Sequence, residues 1–297
     1  MSAARRAVRA CCACVSLIAA AAQAGDVLVV QSRAMTDTAQ AAQNQILDGF
    51  REVYRGTIDV VDEKREFAKK LSVDRPRLIV ALGRDAASAA RDKNLPLLFL
   101  MVPNPAAARL TGPGIAGISM DISGAAQVAY CKELIPTIKT IGVIYDPDSG
   151  ESVIQEAQTA AKQMGVRLLA VPVDSKHEVQ TAFTLVGEIV DALWVIPDRD
   201  TEDWVRSFLE GRDRRLPFFI ASEGTIKKGA LAGLIPDYRQ IGRDGGDLAE
   251  RLMAGKTTLA QIGIRLPAVQ RALNKTTAKG LRLPVPPDLQ QTVKTFD

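Results

Sequence analysis

The 297-residue chain contains one histidine and four cysteines, and this shortage limits the chemistry open to it. His177 stands where a predicted strand gives way to a helix, which is a solvated position, and from residue 25 onwards no HExxH, CxxC or clustered Cys/His pattern occurs. Cys11, Cys12 and Cys14 all precede residue 25, which leaves Cys131 in an apolar helical pattern typical of a buried thiol. We therefore expect no zinc site, no redox centre and no disulfide framework.

The chain also lacks a glycine-rich turn directly after its first predicted strand, a P-loop and the serine motifs of hydrolases. A dinucleotide site needs glycines directly after the first strand, where this chain reads QSRAMTD at 31–37. The GRDGG segment at 242–246 falls inside a predicted helix, and no P-loop, Ser-x-x-Lys or G-x-S-x-G motif is present. We expect no catalytic residues, no metal and no cofactor, so an exported α/β enzyme is the weaker alternative.

The first 24 residues have the composition of a secretory signal peptide. Arg5, Arg6 and Arg9 precede an apolar run at 10–22, and an Ala-Gln-Ala sequence ends at Ala24. The apolar run is shorter than the roughly 20 residues that span a bilayer. We predict cleavage after Ala24, a periplasmic location and no stable membrane insertion after signal removal.

Removal of this leader changes the charge balance of the chain. The whole sequence has 38 basic and 34 acidic residues, and the leader contributes three arginines and no acidic residue. The remaining chain is therefore almost neutral. This balance gives no indication of nucleic-acid binding.

From residue 25 onwards, short apolar runs alternate with longer amphipathic stretches, which predicts β-α units and mainly parallel sheets. Near-continuous apolar runs such as LIVAL at 78–82 are typical of strands covered on both faces. A Pro- and Gly-rich zone interrupts this alternation, so we place a crossover between two lobes near 119–123. The predicted organisation is a leader at 1–24, a first lobe at 25–121 completed by about 224–256, and a second lobe at 122–223 completed by about 257–297.

Ligands of open α/β sheets bind beyond the carboxyl ends of the strands, so residues that follow predicted strands are candidate ligand-binding residues. The candidates are Ser32, Arg33, Arg84, Asp85, Asn104, Ser119, Asp198, Ser222 and Glu223. At Gly83–Ala86 the amides at the start of a predicted helix can bind an anion such as a carboxylate, helped by Arg84 or Arg33, or Asp85 can simply cap that helix. Asp198 can accept a ligand ammonium or cap the next helix. Trp194 and Trp204 can stack on a ligand or pack in the core.

Segments spread over residues 76–255 resemble one known family. In chain order they are Ile79–Gly83, Pro96–Phe99, Val102–Pro105, Gly117–Ser119, Ile141–Tyr145, Asp191–Asp198, Gly229–Gly233, Asp237–Tyr238 and Ile241–Gly242. Their order and spacing resemble the ABC transporter substrate-binding proteins related to tryptophan- and tyrosine-binding lipoproteins. The resemblance implies the type I periplasmic binding protein fold, in which two Rossmann-like α/β lobes with parallel sheets are joined by hinge crossovers.

The resemblance also implies a function and a set of cleft residues. In such proteins a solute lies between the lobes, and the closed form docks on a membrane permease. By this resemblance the cleft is bordered by Arg84, Asp85, Asn104, Ser119, Asp198, Ser222 and Glu223. The family often has a His-Pro-type segment in its first loop, where this chain has SRAMTD at 32–37, and the lipobox of many relatives is absent.

We therefore expect a periplasmic receptor that closes on a small solute, such as an amino acid or a related organic molecule, and delivers it to an ABC importer. The alternative is a periplasmic sensory or scaffold protein of the same fold that acts through protein contacts. The altered first loop motivates this alternative.

Overall fold

The structure is a computed structural model that describes residues 26–63, 65–173, 176–196, 205 and 216–297. Within these ranges the strands form two separate sheets. The strands of the first sheet are β1 (Val27–Gln31), β2 (Ile58–Asp62), β3 (Leu78–Leu82), β4 (Leu97–Val102), β5 (Ile115–Ser119) and β11 (Ile264–Arg265). The strands of the second sheet are β6 (Thr140–Tyr145), β7 (Arg167–Pro172), β8 (Ala192–Val195), β9 (Phe218–Ile220), β10 (Ala232–Pro236), β12 (Val269–Asn274) and β13 (Lys294–Phe296).

The helices lie between these strands, as the alternating sequence pattern predicts. Those that follow strands of the first lobe are α1 (Asp37–Val53), α2 (Phe67–Val73) and α3 (Arg84–Arg91). The central part of the chain contributes α4 (Gly124–Leu134), α5 (Pro147–Gln163), α6 (Lys176–Gly187) and α7 (Glu223–Lys227). The last part contributes α8 (Tyr238–Met253), α9 (Leu259–Ile262), α10 (Lys275–Gly280) and α11 (Pro287–Thr292). None of the helices in the described ranges is both long and apolar enough to cross a membrane.

The first sheet is parallel throughout, in the order β11-β5-β4-β3-β1-β2, and both of its faces are covered. One face packs against α1, α8 and α9, and the other packs against α2 and α3. Every residue of β3 is buried, as expected for the LIVAL run. Burial on both faces holds these strands in place, so the residues at their carboxyl ends have fixed positions.

The second sheet has the order β13-β12-β10-β9-β8-β6-β7 and is parallel except where β12 pairs antiparallel with β10. Helices α4, α5, α10 and α11 supply residues to one core layer, and α6 and α7 supply the other. Tyr130 of α4 meets Phe219 of β9 edge-on, and its hydroxyl donates to the Ala272 carbonyl at 3.0 Å. The second lobe is therefore also a sheet covered by helices on both faces.

The described part of the chain crosses between the lobes three times. The first crossing (120–123) joins β5 to α4, the second (Asp237) joins β10 to α8, and the third (266–268) joins β11 to β12. The first crossing matches the crossover that the Pro- and Gly-rich zone predicts at 119–123. The prediction of an α/β protein with two sheet-and-helix lobes is confirmed.

The segments that complete each lobe differ from the sequence prediction. The sequence interpretation gave 224–256 to the first lobe, but β10 pairs with β9 and β12 in the second sheet. It gave 257–297 to the second lobe, but α9 packs on the first core and β11 pairs with β5. An apolar strand has the same local pattern in either sheet, so the sequence does not reveal which sheet it joins.

Helices α1 and α8 pack together so closely that their backbones touch. A Cβ atom added to Gly242 would lie 2.1 Å from the Ile46 carbonyl oxygen, and one added to Gly49 would lie 2.1 Å from the Arg239 carbonyl oxygen. Only glycine allows this approach. Because α1 follows the loop after β1 and α8 begins at the second crossing, this interface fixes that loop relative to the crossing.

Candidate functional site

The carboxyl ends of β1, β3, β4 and β5 form one continuous edge of the first lobe. These four strands are neighbours and run parallel, so the residues that follow them lie side by side. Ser32 follows β1, Arg84 follows β3 after one glycine, Asn104 lies two residues past β4, and Ser119 is the last residue of β5. The structure therefore brings these four predicted site residues to the same edge.

Ser32 is already used at this edge to cap a helix. Its hydroxyl accepts a hydrogen bond from the Ala86 amide at 2.9 Å, and its carbonyl accepts one from the Gln43 side chain at 2.9 Å. The N-cap residue of α3 is Gly83, so Asp85 lies inside the first turn of the helix and is not its cap. One of the amides that was expected to face an anion is thus bonded to Ser32.

Two arginines supply positive charge at this edge. Arg84 is exposed, and its Nη2 donates to the Pro103 carbonyl oxygen at 3.0 Å, which holds the guanidinium beside the loop after β4. Arg33 is also exposed, in the loop after β1. Among the described residues, neither guanidinium forms an ion pair with a carboxylate. Both can therefore bind an anionic group of a ligand.

Asp121, on the first crossing, is a residue of this edge that sequence reasoning missed. Its carboxylate accepts from the Asn104 amide at 2.9 Å, and its own amide donates to the Ser119 hydroxyl at 3.2 Å. Burial raises the pKa of Asp121, and the hydrogen bonds from Asn104 and Ser119 and the charge of Arg84 offset only part of that rise. Its position two residues past a strand end was the available signal.

Asn104 and Ser119 have specific local roles around Asp121. The Asn104 side-chain oxygen accepts from the Ala107 amide at 3.1 Å, and its backbone has a positive φ of 42°. Ser119 is buried, with 1% of its surface exposed. These two residues therefore shape the loop next to Arg84, and their contacts join the ends of β4 and β5.

The predicted residues of the second lobe are largely engaged in structural contacts. The Ser222 hydroxyl caps α7 by accepting from the Thr225 amide at 3.4 Å. Glu223 forms ion pairs with Lys227 at 2.7 Å and with Lys294 at 2.8 Å. Burial alone would raise the pKa of Glu223, but the hydrogen bonds from these two lysines lower it overall.

Two further predicted residues, Asp198 and Trp204, lie outside the described residues. Trp194 is 2% exposed and belongs to the core cluster of the second lobe, so the core interpretation holds for that residue. Groups of three or more His, Cys, Asp or Glu side chains that could hold a metal ion are absent from the described part of the chain.

Comparison with known proteins identifies the family of this chain. The family model described as ABC transporter substrate binding protein matches residues 57–293. The chain belongs to this ABC transporter substrate-binding family. It is 28% identical over 233 residues to a tyrosine-binding protein of Clostridioides difficile (strain R20291), a match that covers 73% of this chain and 66% of that relative, slightly under two thirds of its length.

Solved structures show that the fold is that of type I periplasmic binding proteins. The ligand-free, open structure of a substrate binding protein with adhesive properties from Clostridium difficile aligns with a TM-score of 0.73 at 19% identity. The ABC domain in complex with L-Trp from Streptococcus pneumonia aligns with a TM-score of 0.67 at 20% identity. Each alignment covers 91% of this chain and 99% of the other. The resemblance and the fold class expected from the sequence are confirmed, and the family is one of substrate-binding proteins rather than of enzymes.

Proposed function

We propose that this substrate-binding family member is a periplasmic receptor that closes its two lobes on an amino acid and delivers it to the permease of an ABC importer. The observation that supports this proposal best is the strand-end edge of the first lobe. Arg84, Asn104, Ser119 and Asp121 meet there, next to the first crossing between the lobes.

The charges at this edge favour a ligand that has both a carboxylate and a cationic group. The Arg84 guanidinium has donors left after its bond to the Pro103 carbonyl, and a planar guanidinium can bind a carboxylate through two hydrogen bonds. The half-buried Asp121 carboxylate provides negative charge on the same edge. The tyrosine-binding relative and the L-Trp complex of a structural neighbour make aromatic amino acids the first compounds to test.

Closure of the lobes supplies the remaining contacts in this proposal. We assign Ser32, Arg33, Arg84, Asp85, Asn104 and Ser119 to the first wall of the cleft, and Asp198, Ser222 and Glu223 to the second. A ligand that contacts both walls favours the closed form by its difference in affinity for the closed and open forms. The closed surface is then the form that a permease recognises.

The decisive experiment is calorimetric titration of the ligand-stripped mature chain with L-tyrosine, L-tryptophan and a panel of other amino acids. Arg84→Met should weaken binding about 10- to 100-fold, because it removes charge-assisted hydrogen bonds and keeps much of the side-chain volume. Arg51→Met, at an exposed position in the last turn of α1, is the matched control and should bind like wild type. Failure of every amino acid in the panel to bind would contradict the proposal.

The engagement of Ser222 and Glu223 in capping and ion pairing favours a second candidate function. With fewer free polar groups on its second wall, the protein would act as a periplasmic sensory or scaffold protein through protein contacts. Small-angle scattering distinguishes the two functions. A receptor should become more compact when its amino acid is added, whereas a scaffold should keep the same radius of gyration.

We also propose export with removal of the leader after Ala24. The basic start, the short apolar run and the Ala-Gln-Ala sequence support this cleavage site. Intact mass measurement of protein from the periplasmic fraction should give a chain that begins at Gly25. A full-length chain in the cytoplasmic fraction would rule the proposal out.

A further inference from the structure

The first crossing is attached to the binding edge of the first lobe by Asp121. The Asp121 carboxylate accepts from the Asn104 amide at 2.9 Å, and the Asp121 amide donates to the Ser119 hydroxyl at 3.2 Å. These contacts join the crossing to the ends of both β4 and β5. A movement of Asp121 therefore moves the loop that contains Asn104.

The same loop holds the guanidinium of Arg84. The carbonyl oxygen of Pro103, the residue before Asn104, accepts from Arg84 Nη2 at 3.0 Å. Asn104 itself has a φ of 42°, a left-handed conformation that asparagine adopts more readily than most residues other than glycine. Contacts with the surrounding structure hold this conformation in place, and the bond from the Asn104 amide to Asp121 is such a contact.

On its other side, the first crossing is attached to the second lobe. Glu156 of α5 accepts from the Ser123 hydroxyl at 2.5 Å and from the Gly124 amide at 3.0 Å. Only Ile122 separates the residue bonded to the first lobe from the residue bonded to the second. Asp121 is thus held with the first lobe within one residue of the attachment to the second lobe.

We propose that Asp121 is a positioning residue for ligand binding, which couples the first crossing to Arg84 through Asn104 and Pro103. It acts as a hydrogen-bond acceptor for the Asn104 amide and thereby sets where the Arg84 guanidinium stands when the lobes close. This inference rests on the proposed function, because Arg84 is taken there as a ligand-binding residue.

A set of three variants tests this role. Asp121→Ala removes the acceptor and should weaken L-tyrosine or L-tryptophan binding about 10-fold or more, whereas Asp121→Asn keeps an oxygen for the Asn104 amide and should stay within about 3-fold of wild type. Asp247→Ala, at an exposed site on α8, is the control and should not change affinity. In an Arg84→Met background, Asp121→Ala should have little further effect, because its influence acts through Arg84.

Hydrogen exchange of the Asn104 amide in the ligand-free protein provides a measurement that does not depend on binding. Exchange should be at least about 10-fold faster in Asp121→Ala and should return towards the wild-type rate in Asp121→Asn. Unchanged exchange, or wild-type affinity in Asp121→Ala, would overturn the positioning role even if the wild type binds an amino acid. If the wild type binds no amino acid of the panel, the proposed function fails, and the exchange rates alone then decide whether Asp121 holds this loop.

Discussion

The contact between α1 and α8 leads to the sharpest stability prediction, for Gly242→Ala. The new Cβ would lie 2.1 Å from the Ile46 carbonyl oxygen and 2.9 Å from the Phe50 amide nitrogen, where about 3.4 Å is an ordinary contact. The overlap is with backbone atoms, which cannot rotate away, so we take the upper end of the overpacking range, about 3 kcal/mol. Alanine regains about 1 kcal/mol of helix propensity. The expected net loss is therefore about 2 kcal/mol.

A loss of this size should lower the melting temperature by roughly 4–8 °C in calorimetry or circular dichroism. Gly224→Ala is the matched control, because that glycine also lies in a helix but a Cβ there has no neighbour within 4 Å. The control should melt at or slightly above the wild-type temperature. Equal melting temperatures for Gly242→Ala and wild type would refute the backbone-to-backbone packing.

Three further predictions concern ionisable groups. Hydrogen bonds from Arg243 and Arg239 lower the pKa of Glu52 below 4.5. The ionised Glu52 therefore stabilises the fold above pH 4.5, and this stabilisation is lost at lower pH. The difference in melting temperature between wild type and Glu52→Gln should shrink on acidification from pH 6 to below about pH 4. Burial raises the pKa of the Cys131 thiol, which should resist alkylation at pH 8 until denaturant unfolds the protein. Asp191 accepts from two backbone amides at 2.8 Å each, so Asp191→Ala should cost about 1–3 kcal/mol in denaturant unfolding, and Asp191→Asn should lose less.

Strands that are buried on both faces were predictable, because they have a continuous apolar run in the sequence. The LIVAL run at 78–82 is a strand in the structure with the same bounds, and each of its residues is buried. The sheet that each strand joins was harder to predict. β10 and β11 are assigned to their sheets by pairing with distant residues, which leaves no trace in the local pattern.

The place of the candidate site was predictable, but the use of its side chains was not. Ser32 and Arg84 each follow a predicted strand, and the carboxyl ends of neighbouring parallel strands lie at the same edge of the sheet. The sequence does not reveal that Ser32 caps a helix 54 residues later in the chain, or that Glu223 pairs with a lysine 71 residues away. Asp121 was missed although it lies two residues past β5, because its bond to Asn104 of another loop cannot be read from the local sequence.

The hydrogen bonds that hold the three crossings fall into two separate groups. One group links the second crossing to the strand after the third, and the other holds the first crossing; together they limit how the lobes can move. Asp237, the second crossing, caps α8 through a bond from the Gln240 amide at 3.0 Å and accepts from Gln270 of β12 at 2.6 Å, so it is tied to the strand that follows the third crossing. The first crossing has its own attachments, at Asp121 and Ser123. A hinge needs only a few backbone angles that can change. Because each lobe holds its end of the first crossing, the change there is confined to the backbone around Ile122, and a closed form that differs elsewhere in 119–124 would require one of these attachments to break.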